Sequence, residues 1–466
     1  MVLSGLTFQR VIPRAVFILL SFISITCLRA QPDGIVGTMP EDYLPELKEI
    51  LQTALQQSPQ VFLAAIDVER GEAGRIQANA ARWPGMVGNL NYASNQEAIS
   101  GMTETQSRAT GLFYSVTLSQ SLFHWGALKN QSAIGRIGLL IAEKNYAEAY
   151  RSLAITLRQS YLELIMKKAR LRHARHSYAR AQSDLAVLKQ NAAQFSPATI
   201  AGRELELREV KLELDRVETE FAAGCRKLAR FAGLSELPED KVADELPRPE
   251  FEPALASAIT AMVLRDQGAH SFEPQILALR VREAELKYKI ESVRLRPKFY
   301  VGAGYSLDNY STVGTNQIQQ QAVQRQNVNI SAQWAIFDGF ATRAAKMEAK
   351  ASRRSYERRY SMAVEALLEQ AQALERSLQL DAEHLELSDQ RHGIALATKE
   401  RVAEESKLGN VAKVEIDRAE SSILITQANA FAARARFFSD WSELVSVAGI
   451  DPVLQNLSNR YVREIR

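Results

Sequence analysis

Residues Val328-Asn-Ile-Ser-Ala-Gln-Trp-Ala-Ile-Phe337 alternate in polarity, Asp338-Gly339 interrupts, and no proline then occurs before Asp451. Val328, Ile330, Ala332, Trp334 and Ile336 share one side; Asn329, Ser331, Gln333, Ala335 and Phe337 share the other. A period of two with one apolar side marks a half-buried strand. The residues beyond it read differently. At about 1.5 Å of rise per residue, a helix from Phe340 to Lys407 would reach roughly 100 Å. Within it Tyr360, Val364, Leu367, Ala371, Leu374 and Leu378 keep a 4-3 rhythm that Asp381 breaks. That is coiled-coil spacing, which buries a narrow stripe and leaves the rest of the helix wet. A short strand running into a helix too long for a globular domain decides the fold.

The same pairing occurs earlier in the chain. Gly111 to Phe123 alternates, with Leu112, Tyr114, Val116, Leu118 and Leu122 on one side, and Gly126 to Gln190 follows without proline. In that second run Tyr150, Leu157, Leu164, Leu171, Tyr178 and Leu185 recur every seventh residue. Met86–Tyr92 and Phe299–Leu307 supply two further alternating segments. The polar stretches Ser94 to Thr110 and Ser306 to Gln326 read as long loops at the strand tips. Short alternating segments with long loops on one side fit an outer-membrane barrel.

The repetition is ordered. Pro84–Tyr92 matches Pro297–Tyr305 at an offset of 213 residues, Leu118–Phe123 matches Ala332–Phe337 at 214, and Leu228–Leu234 matches Leu444–Ile450 at 216. The chain is expected to be a tandem duplication. The expected domains are a signal peptide at 1–30, a first repeat at 31–236, a linker at 237–271, a second repeat at 272–450 and a tail at 451–466. Four prolines between Leu237 and Pro253 mark the linker.

Residues 1–30 contain Arg10 and Arg14, an apolar run from Ala15 to Cys27, and Ala30 as a small residue before a cleavage point. They read as a secretory signal peptide, with an anchor helix as the alternative. Acylation at Cys27 is the minority reading, because Ser24-Ile25-Thr26 fits a lipobox poorly. Arg10, Arg14 and Arg29 account for the whole formal charge of +3, so the rest of the chain is balanced. Nothing electrostatic therefore points to nucleic acid. After cleavage one thiol remains, Cys225, expected as a buried small hydrophobe.

Catalytic patterns are missing. His173-Ala-Arg-His176 has a metal-like helical spacing, but Arg172 and Arg175 disfavour a cation and no carboxylate or cysteine completes the set. Gly302-Ala-Gly304 lies inside a strand, where it reads as room for close backbone packing or a bulge rather than a dinucleotide fingerprint. Arg353-Arg354 and Arg358-Arg359 read as a solvated basic face. No cofactor or metal is expected, and the chain reads as a conduit rather than an enzyme.

The order of these segments, Arg296-Pro297-Lys298 leading into a strand, and Ile336-Phe337-Asp338-Gly339 leading from a strand into a long helix resemble the TolC family of outer-membrane efflux and secretion channels. Leu122-Phe123-His124-Trp125-Gly126 stands in the equivalent place of the first half. The resemblance implies a fold that is part all-α, part membrane β. In a homotrimer, each protomer would give four strands to a 12-stranded barrel and long helices to a hollow periplasmic tunnel. It also implies a passive outer-membrane channel, in contact with outer-membrane lipid, that receives cargo from an inner-membrane transporter through a periplasmic adaptor in an efflux or type I secretion system. A periplasmic coiled-coil scaffold or adaptor without a pore is the alternative.

Two groups of residues follow from the resemblance. The helix reversals are adaptor-contact candidates: Phe195, Ser196, Pro197, Leu408, Gly409, Asn410 and Val411. Pro197 is expected to stop a helix, and Gly409-Asn410 to tolerate positive φ. The aperture candidates are Glu415 and Asp417. In the family a carboxylate pair one turn apart lines the entrance; here Arg418 holds the second place and Asp417 falls one residue early. A two-residue spacing does not put both on one helix face, so Glu415 is favoured.

Overall fold

Alternation and coiled-coil spacing do become a sheet and paired helices. The structure, a computed structural model, describes residues 39–99, 105–191, 194–313, 318–408 and 412–457. The expected signal peptide with Cys27 and the last nine residues of the tail lie outside the described residues. In chain order the elements are α1 (Pro40–Tyr43), α2 (Pro45–Gln57), α3 (Pro59–Ala80), β1 (Gly85–Ile99), β2 (Thr105–Phe123), α4 (Ala127–Gln190) and α5 (Pro197–Ala232). They continue as α6 (Pro253–Arg265), α7 (Phe272–Ser292), β3 (Lys298–Val313), β4 (Ile318–Gln333), α8 (Ala341–Lys407) and α9 (Lys413–Val447). The order α3-β1-β2-α4-α5 thus recurs as α7-β3-β4-α8-α9. No described helix is long and apolar enough to cross a membrane.

The four strands form one antiparallel meander in sequence order. They are longer than the alternation suggests. Most of the two stretches read as loops is strand, because β1 pairs with β2 from Gly85↔Ser119 to Ile99↔Thr105, and β3 with β4 from Lys298↔Gln333 to Val313↔Ile318. A hairpin ladder satisfies its own backbone, so it continues where the side chains turn polar on both faces. The fourth strand is also shorter at its far end. It stops at Gln333, opposite Lys298, because the next residue back on the partner is Pro297, which has no amide to donate. Trp334 to Phe337 form a connector instead.

Register sorts the side chains by face. Leu90 lies opposite Tyr114, and Tyr114 opposite Leu307; Val116 lies opposite Tyr305; Val301 opposite Ile330; Ala303 opposite Val328. These make one continuous apolar face across all four strands. The other face carries Asn89, Ser115, Thr117, Ser306, Asn327 and Asn329. On it, a Cβ at Gly302 or Gly304 would come within 2.5 and 2.3 Å of the Asn329 and Asn327 side-chain oxygens. The glycines make room for those side-chain amides, rather than for a close backbone or a bulge, since the β3–β4 register runs through them unbroken.

The long helices have 64 and 67 residues, so each extends roughly 100 Å. α3 packs along α4 and α7 along α8, while α5 and α9 cover the other ends of α4 and α8; α4 also meets α7 and α9. Asp381 does not end the rhythm in α8. Leu374, Leu378, Asp381, Leu385, Ser388, Ala395 and Val402 are all buried, so the seam runs on through polar positions.

The cores sit midway along the helices. Leu153, Leu157 and Leu164 of α4 pack with Leu47, Leu51 and Leu228, and Cys225 is buried there, its thiol pushed up by burial. Ala371, Leu374 and Leu378 pack with Phe437, Trp441 and Ile259. Gly233 and Gly449, ending α5 and α9, both have φ +72°; a Cβ at either would lie 2.5 Å from a carbonyl, of Gln57 and His270 respectively. Only glycine fits there.

A segment without sheet partners wraps this level, and side chains take its backbone groups. Lys168 Nζ donates to the Glu239 and Val242 carbonyls at 3.0 and 2.6 Å, and Tyr161 Oη accepts from the Ala243 amide at 3.0 Å. Arg434 donates to the Leu246 carbonyl at 2.6 Å. Nearby, the fully buried Arg158 donates to Asp451 at 2.6 and 3.0 Å and to Glu41 at 2.5 and 2.9 Å. Burial opposes its charge, but the two carboxylates outweigh that and hold its pKa above the arginine norm.

Candidate aperture and docking tip

The first reversal is built by a helix cap. α4 ends at Gln190, and Ser196 caps α5 by accepting a hydrogen bond from the Thr199 amide at 3.1 Å. Pro197 occupies the first turn of α5, so it starts a helix as well as preventing α4 from continuing. Phe195 stays 43% exposed beside this turn. About two turns along the helices from this cap, Lys189 and Glu204 pair at 2.7 Å, and the hydrogen bond from Lys189 holds the Glu204 carboxyl below the usual range.

At the second reversal Leu408 is 74% exposed, whereas Gly409, Asn410 and Val411 lie outside the described residues. α9 begins at Lys413, with Glu415 exposed in its first turn. Glu415 has no ion-pair partner among the described residues. Asp417 is different: its carboxylate forms an ion pair with Arg180 Nε of α4 at 3.2 Å, and its side chain is only 16% exposed. Arg180 also lies 3.8 Å from Asp184. The structure therefore separates the two carboxylates, one onto the α4–α9 contact and one into the open. One further α4–α9 contact follows, between His176 and Glu420 at 3.6 Å.

Sequence reading did not find Arg180. It stands far from α9 in the chain, and its i,i+4 partner Asp184 looks like an ordinary surface pair. His173 is held below the usual histidine range by burial and by its neighbour His176. No group of three or more His, Cys, Asp or Glu residues that could hold a metal occurs among the described residues. Of the arginine run, Arg353 pairs with Glu357 at 2.7 Å and lies 3.8 Å from Glu285; the others remain exposed.

Residues 50–194 match the model of the outer membrane efflux protein family. The fold resembles solved structures across nearly the whole chain. The CmeC outer-membrane channel of Campylobacter jejuni aligns with a TM-score of 0.70 at 12% identity, covering 90% of this chain and 89% of that one. The outer-membrane channel OprN aligns at 0.66 and 17%, covering 88% and 91%. The outer membrane protein VceC of Vibrio cholerae aligns at 0.64 and 15%, covering 87% and 96%. No curated protein matches the chain significantly by sequence. The resemblance to TolC-like channels is borne out, and so is the fold: long helices carrying a four-stranded antiparallel sheet.

Proposed function

We propose that this chain, TolC-like in fold, is a passive outer-membrane efflux channel that works as a homotrimer. The observation that carries the reading is the sheet. Its register gathers the apolar side chains onto one face, yet β1 and β4 each leave an edge without a partner. Open edges are not tolerated in lipid, and four strands are too few to close a barrel. Three copies, joined β4 to β1, would close twelve strands with the apolar face toward lipid and the polar face toward a lumen. The helices of roughly 100 Å would continue that lumen as a periplasmic tunnel. A scaffold without a pore gives no role to the apolar face.

The finer reading concerns partners. An inner-membrane transporter supplies energy and cargo, and a periplasmic adaptor meets the tip formed by Phe195 and Leu408, in an efflux or type I secretion assembly. Glu415 lines the aperture, while Asp417 is held by Arg180. The chain acts as a conduit rather than an enzyme, consistent with the family match and with the channel structures it resembles. The test is planar-bilayer recording with hydrodynamic measurement in detergent. A trimer that conducts is expected; a stable monomer with no conductance would overturn the reading.

A further inference from the structure

Where the sheet meets the helices, four connections lie at one level. The segments 81–84, 124–129, 289–298 and 334–346 together hold eight arginines and lysines against two acids, Glu291 and Asp338. The whole chain carries only +3, so this band is an island of positive charge. Both acids are already engaged. Glu291 pairs with Arg294 at 3.3 Å, and Asp338 accepts from the Thr342 amide at 2.8 Å and hydroxyl at 2.5 Å. Arg82, Arg296, Lys298, Arg343 and Lys346 have no carboxylate partner among the described residues.

The same band holds three of the chain's four tryptophans, Trp83, Trp125 and Trp334. Trp83 is 69% and Trp334 60% exposed, and Phe340 is 66% exposed. Trp334 opens the connector that follows β4, with its indole left exposed beside the end of the sheet. Trp125 and Phe340 sit in the left-handed region at φ 55° and 68°, which is costly for residues with a Cβ. Trp125 is braced in that position: its indole donates to the Pro297 carbonyl at 2.7 Å, and the Arg296 guanidinium lies 5.0 Å above its ring. Both strand-to-helix connections therefore spend backbone strain to set an aromatic ring at this level.

Exposed tryptophan at one height suits the boundary between hydrocarbon and headgroups. Unpaired arginine and lysine at that height suit anionic headgroups, whose attraction amounts to about fivefold in binding per basic residue near the surface. We infer that this collar binds the phosphates of anionic glycerophospholipids in the leaflet at the helical end of the barrel, with the aromatic rings among the glycerol and upper acyl carbons. The inference rests on the channel reading, which places the apolar face in lipid. The collar would fix the height of the barrel in the membrane and select its lipid annulus.

The test uses the full chain in vesicles of phosphatidylcholine, with spin-labelled phosphatidylglycerol and phosphatidylcholine compared for residence at the protein. The expected association constant for phosphatidylglycerol exceeds that for phosphatidylcholine severalfold and falls toward parity at high salt. Lys298→Gln combined with Arg343→Gln should lower it severalfold; neither side chain makes an ion pair among the described residues, so folding and conductance should persist. Equal preference in the variant and the unaltered protein, or no preference in either, would overturn the collar while conductance upheld the channel. Failure of the unaltered chain to insert or conduct would overturn both.

Discussion

Replacing Asp381 with asparagine should stabilise the protein at neutral pH and change nothing in acid. Asp381 lies in the α8–α9 seam with its side chain 4% exposed, held by Arg436 Nε at 2.9 Å from one oxygen, while no donor among the described residues reaches its buried Oδ2. Across the seam stands Asp440, which accepts from the Ser377 hydroxyl at 2.6 Å. Burial first, then the like charge of Asp440, push the Asp381 carboxyl from 3.8 up to about 6, with Arg436 opposing. Each tenfold change in proton affinity corresponds to about 1.4 kcal/mol, so ionised Asp381 costs on the order of 3 kcal/mol. The sign follows from a folded pKa above the unfolded one. The stabilising protonation is fully present below about pH 4 and is lost as pH rises through 6. Asparagine keeps the shape and a donor for Asp440 without the charge. The assay is hydrogen exchange at the α8–α9 seam between pH 4.5 and 8, corrected for intrinsic rates, beside thermal unfolding followed by circular dichroism. Protection in the unaltered protein should fall relative to Asp381→Asn as pH rises and level off above about 7. Parallel pH profiles for the two proteins would refute the buried carboxyl pair.

Arg158→Met should destabilise by about 3–5 kcal/mol, since it strands Asp451 and Glu41 beside a buried apolar group; chemical denaturation would measure it. Gly233→Ala and Gly449→Ala should each cost more than the roughly 1–2 kcal/mol of a left-handed alanine, because each Cβ meets a carbonyl at 2.5 Å, and thermal scans should show similar losses for both. Glu415→Ala should weaken cation selectivity and block by a trivalent cation in single-channel recording, while Arg180→Ala, by releasing Asp417, should strengthen them; unchanged selectivity in both would exclude a carboxylate aperture. Leu408→Glu should stop export in cells and leave trimer assembly intact, read by an efflux assay beside native electrophoresis; normal export would remove Leu408 from the adaptor contact.

Much of this protein was legible in one dimension. Strand parity and proline-free heptads depend on neighbours two, three, four or seven residues away, so β1 to β4 and the spans of α4 and α8 could be read from spacing alone. The Gly302-Ala-Gly304 step was legible as a place without room to spare, but that Asn327 and Asn329 of β4 fill it took the cross-strand register. Strand ends were less so, because pairing continues wherever a partner strand supplies backbone groups and stops at Pro297, whatever the polarity of the side chains. The fates of three acids needed the folded chain. Asp381 looked like a break in a heptad and is a buried seam position; Asp417 looked like half of an aperture pair and belongs to Arg180; Asp451 looked like the start of a tail and is fully buried against Arg158. A carboxylate carries no sequence mark of the cation it will meet, since that partner comes from another helix, 55 to 293 residues away, and only packing brings the two within 3 Å or so.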